Sequence, residues 1–146
     1  MKHLFTTIVC AFASVLIVGC ASGPTYSEVK ATLPPIPKGQ GRIFVYRTAL
    51  LGAAVQPKVK INDVVVGQAK PRGFFYADRL PGHYEVSATT EWKHKDELTL
   101  APGQRRFVRL NMLPGVMVGH ISPEVVADEA TGESEIAKCS LLPPVK

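Results

Sequence analysis

Residues 17–20 define one chemical site in this sequence. They are Ile-Val-Gly-Cys, and they close an apolar run that extends from residue 4 to residue 18. A small residue directly before a cysteine at the end of such a run is typical of a lipobox. In a lipobox the sulfur of Cys20 takes a diacylglyceryl group, and the chain is cleaved between Gly19 and Cys20. The new amine of Cys20 is usually acylated as well, and stable attachment to a membrane needs more than one chain.

The segment before this cysteine has the three parts of a secretory leader. Lys2 supplies the positive start, residues 4–18 form the apolar region, and Gly19 is the small residue at the cleavage position. The apolar region is shorter than the roughly 20 residues of a spanning helix, and residues 21–24 lack a basic stop-transfer flank. The sequence therefore predicts a lipoprotein signal peptide over 1–19. An ordinary cleaved signal and a membrane anchor remain open as alternatives.

The residue after the cysteine bears on the compartment. It is Ala21, whereas lipoproteins of the enterobacterial pattern that stay in the inner membrane carry aspartate there. By this resemblance we expect the protein in the outer membrane, facing the periplasm. Its first partner would be the membrane itself, through the diacylglyceryl and N-acyl groups on Cys20.

Charge and cysteine usage exclude other kinds of partner. The net charge is +5, and the basic residues are dispersed, with only Arg105 and Arg106 adjacent. A nucleic-acid-binding domain shows a denser basic stripe, so we expect no nucleic-acid partner. Cys10 lies in the leader and Cys20 would be lipidated, which leaves Cys139 without a disulfide partner. We expect Cys139 to be buried as a small apolar residue.

The segment 20–40 is predicted to be a flexible tether that starts at the lipidated cysteine. Residues 26–33 are compatible with a turn or two of helix, whereas the prolines in 33–41 remove hydrogen-bond donors and forbid regular structure. The second half would be a polyproline-like spacer of roughly 3 Å per residue. It would hold the following domain off the membrane.

From residue 41 the apolar pattern has the period of two that is typical of β-strands. Strand-like runs recur about every ten residues with turn residues between them. Residues 62–63 are expected to form a hairpin turn without its usual glycine. These features predict an all-β domain over 41–140, a small antiparallel β-sandwich or barrel, followed by a tail over 141–146.

Three details of that domain follow from the same pattern. Residues 84, 86, 88 and 92 are predicted to share the buried face of one strand. The segments 96–100 and 105–113 are expected to pair as a hairpin around a turn at 101–103. A short helix is predicted near the C-terminus, over 133–139.

Turn and strand-core motifs carry a resemblance to known proteins. They lie at residues 41–47, 62–67, 73–76, 80–84, 90–92 and 102–110. In these segments the chain resembles bacterial lipoproteins that carry the domain of unknown function DUF2846. The rhythm Asn-Asp-x-x-x-Gly followed by Leu-Pro-Gly-x-Tyr also resembles prealbumin-like sandwich modules named for a Pro-Glu-Gly-Ala motif, although that tetrapeptide is absent. The second resemblance implies envelope adhesion, and neither supplies a catalytic residue.

The sequence offers no pattern of residues that is typical of catalysis or metal binding. The histidines after the leader are His83, His94 and His120. They show none of the spacings of a metal site, and no nucleophile elbow or phosphate-binding loop is present. We therefore expect no cofactor, no metal and no enzymatic activity. An enzyme is the second alternative, and it would need one of these histidines beside Cys139, Asp96 or Glu97.

Aromatic residues are the candidates for a binding surface. Phe74, Phe75 and Tyr76 place rings on both faces of one strand, so one face would be core and the other could stack on a sugar or a partner. Trp92 is followed by Lys-His-Lys at 93–95, which suits a hairpin tip. The possible binding surface is therefore Phe74, Tyr76 and Trp92, with packing in the core as the competing interpretation.

These observations together predict a lipid-anchored, non-enzymatic module of the cell envelope. It would present a β-sandwich to an envelope protein or to an envelope polymer such as peptidoglycan. The first alternative is a lipoprotein that binds a small ligand or glycan through the strand at 74–76.

Overall fold

A computed structural model describes residues 19–145 of the chain. Its elements in chain order are helix α1 (Tyr26–Val29), strands β1 (Gly41–Tyr46), β2 (Lys58–Ile61), β3 (Val64–Gln68), β4 (Gly73–Arg79), β5 (Gly82–Thr89), β6 (Lys93–Leu100), β7 (Arg105–Leu113) and β8 (His120–Val126), helix α2 (Glu129–Ile136) and strand β9 (Ser140–Leu141). The apolar region of the predicted leader and Cys10 lie outside the described residues. Within residues 19–145, no helix has the length and apolar character needed to cross a membrane.

Two sheets pack face to face as an open sandwich. One has the strand order β8-β7-β1-β4-β9 and the other β3-β2-β5-β6. The all-β sandwich with a short C-terminal helix is therefore confirmed. The five-stranded sheet is mixed, however, because β1 pairs parallel with β7 and β4 parallel with β9. These two parallel pairings were not predicted from the sequence, since parallel neighbours are joined by long crossovers that local periodicity does not record.

The predicted turn at 62–63 is confirmed, and a second predicted hairpin is wrong. Asn62 and Asp63 have φ angles of 47° and 64°, the left-handed pair expected of a type I′ turn between β2 and β3. The turn at 101–104 instead joins β6 in one sheet to β7 in the other. Its sequence is that of a tight turn, but β7 pairs with β1, which is distant in the chain, and with β8, the strand that follows it.

The strand directions give the sandwich two different ends. β1 and β7 finish where β4 and β8 begin. Gly41, at the start of β1, lies against Leu100 and Ala101 at the end of β6, so β6 begins at the end where β1 finishes. We call this the loop end. It is formed by the connections 47–57, 69–72, 90–92 and 114–119.

The five-stranded sheet is buried on both faces. Its inner face meets the other sheet, and its outer face is covered by α1 and α2. All six residues of β1 are therefore buried, which explains why that strand is apolar almost throughout. Helix α2 packs closely, because a Cβ on Gly132 would lie 2.4 Å from the ring of Phe107. It begins earlier than predicted, since Asp128 caps it by accepting from the N–H of Thr131 at 2.8 Å.

The structure corrects the first half of the predicted tether and the start of the predicted tail. Tyr26 is buried in the outer core, and its N–H donates to the carbonyl of Cys139 at 2.8 Å. Leu141 pairs with β4, and Leu142 packs in the inner core. The chain from 21 to 29 is therefore part of the folded unit. Sequence reasoning missed this because the pocket that takes Tyr26 is built from residues distant in the chain.

Candidate functional site

Cys20 lies exposed at the loop end, where the chain first meets the sandwich. The N–H of the next residue, Ala21, donates to the carbonyl of Pro71 at 3.1 Å. Two residues later the chain touches β9, since a Cβ on Gly23 would lie 2.3 Å from the carbonyl oxygen of Leu141. No free spacer therefore separates Cys20 from the folded domain.

Tyr26 fixes this attachment. Its ring packs edge-on against Phe44 and Phe74, with both centroid distances 5.5 Å. Its hydroxyl donates to the carboxylate of Glu133 on α2 at 2.7 Å. Burial, followed by the Glu133 carboxylate, raises the pKa of Tyr26 far above its ordinary range, so the hydroxyl stays protonated and keeps this bond.

Arg47 holds the first long loop of the loop end in place. Its Nη1 donates to the carbonyls of Val55 and Ala69 at 2.7 and 2.8 Å, and its Nη2 to those of Leu51 and Gly52 at 2.7 and 2.9 Å. Burial lowers the pKa of the guanidinium, but arginine remains charged in proteins. One fully buried cation thus satisfies three carbonyls of the first loop and one of the connection 69–72. It fixes the path of the first loop, with the side chain of Leu51 outside.

The loop 114–119 lies beside this first loop. The two loops line one shallow cavity. Gly52 allows the first loop to approach the end of β7, because it has a φ of 69° and a Cβ there would lie 1.8 Å from the terminal methyl of Met112. Several large apolar side chains around this contact are exposed, among them Leu51 at 77%, Val116 at 81% and Met117 at 85%. We call the set the apolar rim. Its members are Leu50, Leu51, Trp92, Leu113, Val116, Met117 and Val118.

A polar cluster beneath the apolar rim holds the 114–119 loop. The Oε1 of Glu91 accepts from the backbone N–H groups of Met117 and Val118, each at 3.0 Å. Its Oε2 lies 3.6 Å from the Nε2 of His120, which is buried. The Nδ1 of His120 lies 2.8 Å from the hydroxyl oxygen of Thr90. These contacts join the turn 90–92 of the four-stranded sheet to the 114–119 loop of the five-stranded sheet.

Trp92 covers this cluster from outside. Its ring stacks on His120 with a centroid distance of 4.9 Å and an interplanar angle of 22°, and 58% of Trp92 is exposed. The ring of His94 lies 5.3 Å from that of His120. Two of the three histidines are thus neighbours, which their spacing in the sequence did not indicate. Among residues 19–145, no group of three histidines, cysteines or carboxylates is placed to hold a metal ion.

The predicted aromatic surface is wrong for Phe74, one of its three residues. Phe74 is 0% exposed, since it lies beneath Tyr26 in the outer core. Tyr76 is partly buried, and the guanidinium of Arg42 lies 4.2 Å from its ring centroid. Helix α1 covers the face that was expected to be free. Trp92 remains exposed, but it lies in the turn after β5 and not on the buried face of that strand.

The residues of the enzyme alternative do not converge around Cys139. Its thiol is buried and donates to the carbonyl of Arg47 at 3.7 Å, and burial raises its pKa to about 11. Cys139 directly precedes β9, at one edge of the five-stranded sheet, whereas His120 lies in β8 at the other edge. Four strand spacings of about 4.8 Å separate these edges by roughly 19 Å. His83 pairs opposite Thr99 near the end away from the loops.

The two carboxylates of the enzyme alternative, Asp96 and Glu97, point in opposite directions. Asp96 accepts from the N–H of Val125 on β8 at 2.7 Å, so it bridges the edges of the two sheets. Glu97 is exposed and pairs with Lys95 at 3.2 Å. The opposite orientations expected for adjacent strand residues are confirmed, and both side chains have structural partners.

The loop end is also basic. Four cations lie at this end: Lys70 and Arg72 on the connection 69–72, Lys58 at the start of β2, and Lys138 just before β9, which begins beside the start of β4. None of the ion pairs formed within residues 19–145 includes any of them. An exposed cysteine, an apolar rim and unpaired cations therefore share one end of the sandwich.

The family model for proteins of unknown function DUF2846 matches residues 37–121. The chain belongs to this family. A curated relative, an uncharacterized protein of Haemophilus influenzae, is 27% identical over 147 residues, covering 97% of this chain and 86% of the relative. No solved structure matches the chain. The resemblance to DUF2846 lipoproteins found in the sequence is thereby confirmed as regards the family.

The DUF2846 match covers β1 to β7 and the start of β8. It therefore includes Arg47 and every residue of the apolar rim. Cys20, Tyr26 and helix α2 lie outside it. The DUF2846 portion of this chain thus forms the sandwich and its loop end, and the flanking segments attach Cys20 to that end.

Proposed function

We propose that this protein is a lipid-anchored, non-enzymatic module of the bacterial cell envelope, and that it presents its sandwich to an envelope protein or an envelope polymer. The observation that carries the proposal is the position of Cys20. The cysteine of the lipobox is exposed, and the residues after it are fixed to the folded domain. Its sulfur is accessible to an acylating enzyme, and the acyl groups would hold the whole sandwich.

The anchor would be strong. Each methylene buried in a bilayer contributes about 0.8 kcal/mol, so one chain binds marginally and several chains bind stably. A diacylglyceryl group and an N-acyl group on Cys20 give three chains. The protein would then stay with its membrane through washing with salt.

Labelling with a palmitate analogue tests the lipidation. We expect the wild-type protein to be labelled and Cys20→Ala to be unlabelled. Cys139→Ala is the matched control, because it removes a cysteine that is buried away from the surface, and it should keep its label. Undiminished labelling of Cys20→Ala would contradict the proposal.

Membrane sorting tests the compartment. Ala21 lies at the position where aspartate retains lipoproteins of the enterobacterial pattern in the inner membrane. In a host with two membranes, we expect the wild type in the outer-membrane fraction and Ala21→Asp in the inner one. Ala21→Ser is the control, because the bond from residue 21 to Pro71 uses only the backbone. A wild type found in the inner membrane would overturn the assignment.

The partner would be found by cross-linking in cells. A single protein recovered in stoichiometric amount would identify an assembly subunit. Recovery of peptidoglycan alone would favour a polymer-binding role. The alternative of a glycan platform on the strand at 74–76 loses its support, because Phe74 is covered. A sugar that stacks on the sandwich would have to use the exposed ring of Trp92.

A further inference from the structure

We propose that the loop end rests on the phospholipid surface that holds Cys20, with the apolar rim set among the lipid headgroups. The inference rests on the proposed function, because it requires acyl groups on Cys20. It adds an orientation to the anchor. The end away from the loops, with the turns at 80–82 and 101–104, would then face away from the membrane.

The first argument is the missing spacer. The N–H of Ala21 is bonded to the carbonyl of Pro71, so the acylated residue is followed immediately by a fixed backbone atom. One residue spans at most about 3.6 Å. Tyr26 is buried a few residues later and prevents the segment from lifting away. The surface around Pro71 must therefore lie at the headgroups when the acyl chains are inserted.

The second argument is that the apolar rim occupies the same end. Pro71 directly precedes β4, and β7 leads into the 114–119 loop; only β1 lies between these two strands. Two strand spacings of about 4.8 Å give a separation of roughly 10 Å. The loop that carries Val116 and Met117 is thus close to the point where Ala21 is bonded to the domain. Clustered exposed apolar residues indicate an interaction site, whereas scattered ones do not.

The third argument is chemical complementarity with an anionic bilayer. Lys58, Lys70, Arg72 and Lys138 belong to the same end and have no acidic partner within the described residues. Basic residues close to a membrane are attracted to anionic headgroups. Tryptophan is enriched at the membrane interface, where its ring and its N–H find different surroundings. The exposed ring of Trp92 at the loop end would occupy such an interface.

The chain contains a single tryptophan, Trp92, so its fluorescence reports on this end alone. The full acylated protein would be reconstituted into vesicles of phosphatidylethanolamine and phosphatidylglycerol, with and without bromine on the acyl chains. We expect brominated lipid to quench most of the Trp92 emission. The double variant Val116→Glu, Met117→Glu should lose this quenching while it still floats with the vesicles.

Leu80→Glu is the matched control. Leu80 is exposed to a similar extent but lies at the opposite end, so this variant should be quenched like the wild type. All substituted side chains are exposed, and circular dichroism should show that each variant remains folded.

The outcomes separate the two proposals. Wild-type protein that floats with vesicles but is not quenched would overturn the docking and leave the anchor intact. Protein that does not float at all would overturn the anchor and the docking with it. Equal quenching of the wild type and the double variant would show that the apolar rim does not make the contact. If lipid does not quench Trp92 but Trp92 is shielded from acrylamide in whole envelopes, the loop end contacts a protein partner and not the bilayer.

Discussion

Glu91 accepts the backbone N–H of Met117 at 3.0 Å, and so ties the most exposed apolar loop of the molecule to the opposite sheet. The same oxygen accepts from Val118, and the other lies near His120. The part of the apolar rim that lies on the 114–119 loop is therefore held in place by one carboxylate below it. This explains how large apolar side chains can stand exposed on a loop without folding back onto the sandwich.

Removal of the Glu91 carboxylate should make the 114–119 loop more mobile and leave the rest of the domain unchanged. In Glu91→Ala, we expect amide hydrogen exchange at residues 116–119 to rise by about tenfold or more, since a hydrogen bond to a charged group contributes about 1.5–3 kcal/mol. Global stability should change little, because the loop is exposed. Glu97→Ala, an exposed carboxylate on the same hairpin, should leave this exchange unchanged. Unaltered exchange in Glu91→Ala would refute the role given to this carboxylate.

Truncation of Tyr26 tests whether the segment after Cys20 is part of the fold. Tyr26→Ala should lower the free energy of unfolding by about 3–5 kcal/mol, because it leaves a cavity between two aromatic rings. Tyr26→Phe should lower it by about 1.5–3 kcal/mol through loss of the bond to the Glu133 carboxylate. Urea unfolding measures both values. Lys30→Ala, an exposed neighbour, should have no effect, and an equally small effect of Tyr26→Ala would show a free tether.

The buried thiol of Cys139 should react only when the protein unfolds. Burial raises its pKa from about 9 to about 11, so the thiolate fraction at pH 8 is about a hundredfold lower than in the unfolded chain. Because the raised pKa favours the neutral form, its stabilising contribution is complete below about pH 9 and is lost as the pH rises through 11.

Alkylation by iodoacetamide at pH 8 measures this difference. The folded, acylated protein should react slowly and the urea-unfolded protein rapidly. Fast alkylation of the folded protein would show that Cys139 is accessible and that the packing around β9 is wrong.

The turn between β2 and β3 contains a non-glycine residue in the left-handed conformation, and a substitution to glycine should relieve the strain. Asp63 has a φ of 64°, a region that glycine adopts more readily. Asp63→Gly should raise the free energy of unfolding by about 0.5 kcal/mol, because a type I′ turn favours Asn-Gly. Asp63→Val should lower it, since a β-branched residue is strained there. Urea midpoints give both changes, and a less stable Asp63→Gly would contradict the turn assignment.

Local sequence patterns predicted those parts of the molecule that depend on near neighbours. The turn at 62–63 follows from two polar residues between alternating runs, and the covered face of β5 follows from Val86 and Ala88. Cys139 is buried as its apolar surroundings indicated. The predicted lipobox rests on an equally local pattern, residues 17–20, and it stays a prediction.

Contacts between distant residues could not be predicted in this way. The parallel strands β1 and β7 are separated in the chain by several other strands. The pocket for Tyr26 is formed by Phe44, Phe74 and Glu133. Trp92 and His120 carry no shared signal in the sequence, yet they stack. Each of these contacts exists only after the sheets have formed and packed.

Local patterns along the chain account for the strand character of the domain and its turn at 62–63, and they predict a lipobox that ends at Cys20. Strand pairing and packing dock the segment after Cys20 against the domain and place the apolar rim at the same end. The physical reason is that propensity and periodicity are local properties of a chain. Which end of a sandwich a loop occupies depends on strand pairing and direction, and these are fixed by burial summed over the whole domain.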